Sequence, residues 1–301
     1  MKILNYGSCN VDNVYTLDHI VTEGETEAAE ALAVFPGGKG LNQSIALAKA
    51  GLSVFHAGCV GADGDFLLEL LRENGVNTDW VKQSSEKSGH AVIQVTKHGE
   101  NCILVYPGAN GEIREEDVTE TLSHFEAGDW ILLQNELAKT EFILKEAEKR
   151  GLRILLNPSP CNEALLAADL SSVSVLILNE TEAALLSGEK EPLAALERLK
   201  KKYPRTQLML TLGEEGSLFW DGKSLHPQKA YPAEAVDTTA AGDTFTGYFI
   251  AGLFEGLPPQ EILSRASLAA AIAVSRRGAS VSIPRRDEVE AAMARRHSEN
   301  E

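Results

Sequence analysis

An α/β fold, with a doubly wound, mostly parallel sheet flanked by helices and a small β-sheet lid beside it, is predicted from three observations. From residue 40 onward, apolar β-rich runs alternate with segments of helical period, a pattern that buries a sheet between two helical layers. Two stretches, residues 11–35 and 88–106, break that rhythm. The C-terminal third then turns helical. No repeat, low-complexity tract or linker divides the 301 residues, so one domain over 1–301 is expected, with the lid drawn from about 11–35 and 88–106.

In chain order, strands are predicted at Ser53–Val60, Trp130–Gln134, Arg153–Asn157, Val173–Leu178 and Gln207–Leu212. Between them, apolar residues three or four apart predict helices at Leu41–Ala50, Asp63–Asn74, Lys139–Arg150, Glu180–Leu186 and Pro192–Lys202. Strands alternating with helices imply right-handed crossovers and parallel pairing. Gly89–Thr96 and Asn101–Tyr106 flank a Lys97-His98-Gly99-Glu100 turn and read as a β-hairpin. Its strands are apolar on both faces, which calls for a substrate, a partner subunit or both to cover them. Helices at Gly242–Glu255, Pro259–Arg276 and Arg285–Arg296 are punctuated by Gly256, Pro258, Gly278 and Pro284.

Composition narrows the function. A hydrophobic fraction of 44% supports a large core, and a formal net charge of −16 argues against nucleic acid, whose binding needs a positive footprint. The N-terminal apolar stretch is too short for a signal segment and no run is long enough to span a membrane, so a cytoplasmic protein is expected. Cys9, Cys59, Cys102 and Cys161 stand far apart without a C-x-x-C pair and are expected to be reduced and packed. No G-x-S-x-G elbow occurs and the seven histidines lack ligand spacing, which leaves hydrolase and zinc chemistry unsupported.

The segment Asp237-Thr238-Thr239-Ala240-Ala241-Gly242-Asp243-Thr244-Phe245-Thr246-Gly247 runs small residues straight into an apolar helix. Amides and the positive end of the helix dipole would be exposed there together, a site for a phosphoryl group. Asp243 has two readings: a helix-terminal carboxylate that favours the dipole, or a general base that takes the proton of an attacking hydroxyl. Pro36-Gly37-Gly38-Lys39-Gly40-Leu41-Asn42-Gln43 again sets glycines before a helix. It is not a Walker A loop, since Ala33 and Gly40 occupy the positions of that motif's first glycine and its Ser/Thr. It is either a glycine-rich turn or a binding loop in which Lys39 and Asn42 offer donors to hydroxyls and phosphates. Asn179-Glu180-Thr181-Glu182 is a capping box by pattern; at the carboxyl end of a strand it could also serve hydrated Mg²⁺ and nucleotide phosphates.

Taken together, Gly37 to Gln43 and Asp237 to Gly247 resemble the two signature segments of the pfkB, or ribokinase-like, family of carbohydrate kinases. The resemblance runs along nearly the whole chain through Gly7 to Asp12, Gly61 to Asp65, Gly108-Ala109-Asn110, Asn179 to Ala183, Thr211-Leu212-Gly213 and Ala269 to Pro284. It implies transfer of the ATP γ-phosphoryl to the primary hydroxyl of a pentose, D-ribose first, with fructose, tagatose or a nucleoside as alternative acceptors. Asp243 would be the base, and the amides of Ala240, Ala241, Gly242 and Asp243 the anion hole. Sugar hydroxyls would be held by Asp12, Gly38, Lys39, Asn42 and Glu136 as well as Asp243, under Ile103 and Val105 of the lid. ATP would lie near Asn179, Thr211, Gly213 and Gly242, with Glu182 near Mg²⁺.

A monovalent cation, K⁺, is implied at Asp237, Thr239, Ala273, Arg276, Gly278 and Ser282, and a homodimer is implied through the lid. Two departures from the family pattern bear on the acceptor: Gln134-Asn135-Glu136 in place of Gln-Leu-Glu, and Tyr106-Pro107 in place of His-Ala. The competing class is a sugar-binding regulator that kept the fold and lost catalysis.

Overall fold

The computed structural model describes residues 1–299. Its main sheet has nine strands in the order β13-β12-β11-β10-β9-β8-β1-β4-β5. These are β1 (Ile3–Tyr6), β4 (Val54–Gly61), β5 (Asn77–Ser84), β8 (Trp130–Gln134), β9 (Arg153–Asn157), β10 (Val173–Asn179), β11 (Gln207–Thr211), β12 (Ser217–Trp220) and β13 (Leu225–Gln228). Pairing from β5 to β11 is parallel throughout; β12 and β13 add an antiparallel hairpin at one edge. The chain runs outward from β1 to β4 and β5, then returns to β8 on the other side of β1. Strand order therefore reverses between β1 and β8, where an open α/β sheet opens a crevice at its carboxyl edge.

Alternation along the strands feeds two cores. Leu132, Leu155 and Met209 face one layer, packed by α1 (Lys39–Lys49), α2 (Asp65–Glu73), α8 (Ala241–Glu255), α9 (Pro259–Val274) and α10 (Arg286–Glu299). Ile131, Leu133 and Leu208 face the other, packed by α3 (Glu115–Leu122), α4 (Thr140–Lys149), α5 (Glu163–Ala167), α6 (Glu180–Ser187) and α7 (Pro192–Lys202). Each such fully buried aliphatic side chain contributes about 1.5–3 kcal/mol, so both layers hold the sheet flat against its helices.

A separate four-stranded sheet, in the order β3-β2-β6-β7, comprises β2 (Asn10–Leu17), β3 (Ala31–Gly37), β6 (Gly89–Thr96) and β7 (Asn101–Tyr106). It grows from the carboxyl end of β1 and leads back into α1, so it stands over the crevice. Asn110, buried, staples its root: its amide donates to Asn10 Oδ1 at 2.8 Å and its Oδ1 accepts from the Cys9 amide at 3.3 Å.

The predicted helix at Asp63 begins as a 3₁₀ turn over Ala62–Gly64 and becomes α-helical only at Asp65. The thiols differ from expectation in one respect. Cys9 and Cys59 are buried and Cys161 half-buried, but Cys102 is exposed because it lies on the outer strand β7. None of the described helices is long and apolar enough to cross a membrane.

Candidate active site

The site assembles at the carboxyl edge of the sheet, and its centre is the start of α8. Ala240 caps this helix in a left-handed conformation (φ 59°, ψ 11°), the one described non-glycine residue with positive φ. Such a backbone costs about 1 kcal/mol and persists where its surroundings over-determine it. The turn leaves the amides of Ala240, Gly242 and Asp243 without a hydrogen-bond acceptor among the described residues. Ala241 differs from expectation, because its amide already donates to Thr238 O at 3.2 Å. Three of the four expected anion-hole amides are thus open.

Asp243 follows in the first turn, buried to 9% exposure. It does not simply decorate the dipole: Oδ2 accepts from Asn42 Nδ2 at 3.1 Å and Oδ1 from Gln43 Nε2 at 2.9 Å. Asn42 is brought here by α1, and its own Oδ1 is buried with no partner among the described residues. A buried acceptor left open in this way awaits a donor.

The glycine-rich turn before α1 is occupied by protein groups rather than left for a phosphate. Gly38 takes φ +93°, a conformation that glycine adopts without strain. Lys39 N donates to Glu136 Oε2 at 2.9 Å, Gly40 N to Ser8 Oγ at 3.3 Å and Leu41 N to Ser8 O at 2.9 Å. Ser8 Oγ also donates to Glu136. A carboxylate at a helix N-terminus is favoured by the dipole. Burial nevertheless raises the Glu136 pKa, with Lys39, Ser8 and the Lys39 amide opposing. Asn135, beside it, ties the strand end to the neighbouring loop by donating from Nδ2 to Pro160 O at 2.7 Å and from its amide to Ser159 O at 3.0 Å.

Asp12 stands over Gly37, where any side chain would collide with its carboxylate. Burial, then the charge of Glu136, push its pKa up to about 6. The Lys39 ammonium faces the carboxylates of Asp243, Glu136 and Glu182. Burial alone would lower its pKa, but Asp243, Glu136 and Glu182 outweigh that and raise it, so Lys39 is charged at neutral pH.

Strand register brings the expected lid residues to this side. Phe35, Asp12, Ala91 and Val105 form one row across the small sheet, and Ala33, Val14, Ile93 and Ile103 the next row on the same face. Ile103 and Val105 therefore share the face of Asp12, both more than half exposed.

On the other side of the α8 start lies a cleft of about 770 Å³. Asn179, Thr211 and Gly213 line one bank and Thr238, Ala241 and Gly242 the other, with Tyr231, Phe245 and Ala270 giving apolar walls. The volume suits a nucleotide-sized ligand. Glu182 does not line it. Its Oε2 accepts from the Asn179 amide at 3.0 Å while its own amide donates to Asn179 Oδ1 at 2.8 Å, the reciprocal capping box that its spacing predicted.

Of the expected K⁺ residues, Asp237 accepts from Thr239 N and Gly278 N, both at 2.9 Å. Burial alone would raise its pKa, but these bonds and Arg277 outweigh it and hold the carboxylate low. Ala273 O accepts from Arg276 N at 3.0 Å; the Arg276 guanidinium pairs with Glu288 at 2.6 Å, and Ser282 is buried with its hydroxyl on Ala279 O. No cluster of three or more His, Cys, Asp or Glu able to hold a metal ion occurs among the described residues.

Sequence reasoning missed the polar side chains behind the site: Asn5, Ser8, Gln43, Ser44, His56 and Gln134, all buried. A signal for some of them existed, since Asn5 and His56 interrupt otherwise apolar strands.

A carboxylate beside open helix-start amides, between a nucleotide-sized cleft and the polar side chains of Asp12, Lys39, Asn42 and Glu136, is the arrangement of a kinase of small alcohols. The chain belongs to the pfkB family of carbohydrate kinases, whose model matches residues 1–286. This bears out the resemblance of its two glycine-rich segments. A ribokinase of Haemophilus influenzae is 34% identical over 292 residues, covering 94% of this chain and 95% of that one. Among solved structures, a ribokinase of Thermotoga maritima superposes with a TM-score of 0.86 at 35% identity, covering 98% and 99% of the two chains. An Arabidopsis thaliana ribokinase complexed with ribose and ATP superposes with a TM-score of 0.82 at 30% identity, covering 96% and 97%.

Proposed function

We propose that this chain transfers the γ-phosphoryl of ATP to the primary hydroxyl of D-ribose, giving ribose 5-phosphate. The observation that carries the reading is Asp243, clamped by Asn42 and Gln43 at the left-handed start of α8, within one turn of three open amides. Asp243 takes the hydroxyl proton as that oxygen attacks phosphorus and the bond to the leaving ADP oxygen breaks, while the amides of Ala240, Gly242 and Asp243 receive the charge on the phosphoryl oxygens. The engaged amide of Ala241 contributes less. Ribose as acceptor is supported by the ribokinase relatives and by the ligands of the Arabidopsis complex.

Asp12, Gly38, Lys39, Asn42 and Glu136 hold the sugar, with Ile103 and Val105 closing over it. The open Oδ1 of Asn42 is the acceptor best suited to a hydroxyl. ATP lies in the cleft between Asn179, Thr211 and Gly213 and the start of α8, whose apolar walls suit a base. Glu182 has one oxygen outside its capping box, which fits a hydrated Mg²⁺ that neutralises phosphate charge. The charged carboxylate of Asp237, with the carbonyls around Ala273, Arg276, Gly278 and Ser282 and the residue Thr239, is a set of hard oxygens that fits K⁺ and would stiffen the α8 loop. The cytoplasm, which supplies ATP and keeps thiols reduced, is the compartment this chemistry fits.

A sugar panel tests the reading, run with MgATP in K⁺ and in Na⁺ at equal ionic strength. We expect kcat/KM for ribose to exceed that for fructose, tagatose and pseudouridine by at least about tenfold, and Na⁺ to slow turnover. Equal rates on fructose or a nucleoside would replace ribose as acceptor, no turnover on any would favour a regulator, and equal rates in both salts would remove the K⁺ site.

The face of the small sheet opposite Asp12 carries Leu32, Val34, Leu104 and Tyr106, each about half exposed or more. We infer a homodimer in which these faces cover one another. Sedimentation at micromolar concentration is expected to give a dimer for the wild type and a monomer for Leu104→Arg; a monomeric wild type discards the interface.

A further inference from the structure

Gln43 touches neither ligand in the scheme above, yet of the two residues that clamp Asp243 it makes the shorter bond. It is fully buried, and its Nε2 donates both to Asp243 Oδ1 at 2.9 Å and to Asn157 Oδ1 at 3.0 Å. Its Oε1 accepts from Gln134 Nε2 at 2.7 Å, and Gln134 Nε2 also donates to Asn5 Oδ1 at 2.9 Å. Asn5 Nδ2 in turn donates to Gly40 O at 2.7 Å and Ser44 Oγ at 2.8 Å, and Ser44 Oγ meets His56 Nδ1 at 2.8 Å. Burial brings the His56 pKa down to about 4, so the imidazole is neutral. A string of uncharged groups therefore runs through the sheet and meets a single formal charge, the carboxylate of Asp243.

The bonds dictate orientation. If the Gln43 carboxamide turned over, its oxygen would face the Asp243 carboxylate and its NH₂ would face the NH₂ of Gln134, two repulsive contacts in a dry interior. Gln134 thus locks Gln43, and Gln43 locks the plane of the carboxylate.

We propose that Gln43, held by Gln134, is the positioning residue of the base: the pair keeps the Asp243 carboxylate turned toward the acceptor hydroxyl. The proposal rests on Asp243 being the base. Gln43 and Gln134 do not line the nucleotide cleft, so their loss acts on turnover and not on ATP binding. Fixing a reacting group to within tens of degrees is worth one to two orders of magnitude in rate by analogy with other orienting partners, about 10–100-fold.

The experiment measures kcat and both KM values for Gln43→Met, Gln134→Met and the double variant, each checked by thermal unfolding. Each single change is expected to lower kcat by about 10–100-fold with KM for sugar and ATP within about twofold, and the double variant to be no slower than the worse single, because the two amides act as one unit. A kcat within about twofold of wild type for Gln43→Met, a loss confined to KM, or losses that multiply in the double variant would each overturn the proposal. Should Gln43→Met not fold, Gln43→Asn withdraws the amide by one methylene and is expected to give the same split; wild-type turnover in that variant overturns the proposal equally. Asp243→Asn in the same assay separates the two ideas, since undiminished turnover there refutes the base itself, whereas its loss beside a fully active Gln43→Met refutes only the positioning.

Discussion

Asp243→Asn is expected to lower kcat at least about a hundredfold while ribose and ATP still bind, the loss typical of a removed general base. Asparagine keeps the shape of the side chain but cannot take the hydroxyl proton. It also spoils the clamp, because Asn42 Nδ2 and Gln43 Nε2 both donate to the carboxylate and one of them would then meet an NH₂ group. Leaving a buried donor unpaired costs about 1–3 kcal/mol, so a lower melting temperature should accompany the lost turnover. Stability and catalysis are separable here. A variant that binds both ligands by calorimetry and turns over at the wild-type rate would show that Asp243 is only a helix-terminal carboxylate.

Much of this arrangement was legible in the sequence, and the failures have physical causes. Strands β8 and β9 match their predicted limits residue for residue, because nearly unbroken apolar runs between two core layers leave no ambiguity. The small sheet was visible as a break in the helical rhythm. By contrast, β1 passes unnoticed because it is four residues long and carries Asn5 in its middle, although it is the strand beside which the order reverses. The hairpin β12–β13 is too short, and β5 too polar, to stand out from their loops. At the site, Asp243 and the glycine-rich turn announce themselves because small residues before a helix have local consequences. The left-handed Ala240 does not, since alanine carries no preference for that conformation; only the packed fold holds it there. Likewise Gln43 and Gln134 are 91 residues apart, and no local pattern joins them. What sequence conveys poorly is the polar interior, where each group is chosen by a partner that topology supplies.

Asp12→Asn is expected to stabilise the ligand-free protein at pH 7.5 and to weaken its hold on the sugar. Burial, aided by Glu136, raises the folded pKa of Asp12 from its ordinary 3.8 to about 6. A raised folded value means that this group contributes its full stability below about pH 3.8 and loses it as the pH rises through about 6. At pH 7.5 the charged carboxylate therefore carries a penalty of roughly 1–3 kcal/mol, a figure reduced by the water that still reaches a half-buried group. Asparagine cannot ionise and escapes that penalty. Thermal unfolding without ligand should accordingly show the variant melting a few degrees above wild type at pH 7.5, with the gap narrowing as the pH falls through about 6 and closing only below about pH 3.8, where Asp12 is protonated in the folded and the unfolded chain alike and is nearly isosteric with asparagine. A gap that does not change with pH would mean that Asp12 carries no such penalty. The same variant loses a charge-assisted hydrogen bond to a sugar hydroxyl, worth about 1.5–3 kcal/mol, so KM for the sugar should rise by at least about tenfold. Both effects would have one origin: a buried anion short of hydrogen-bond partners is strained in the ligand-free protein, and under the proposed function a sugar hydroxyl would relieve that strain on binding.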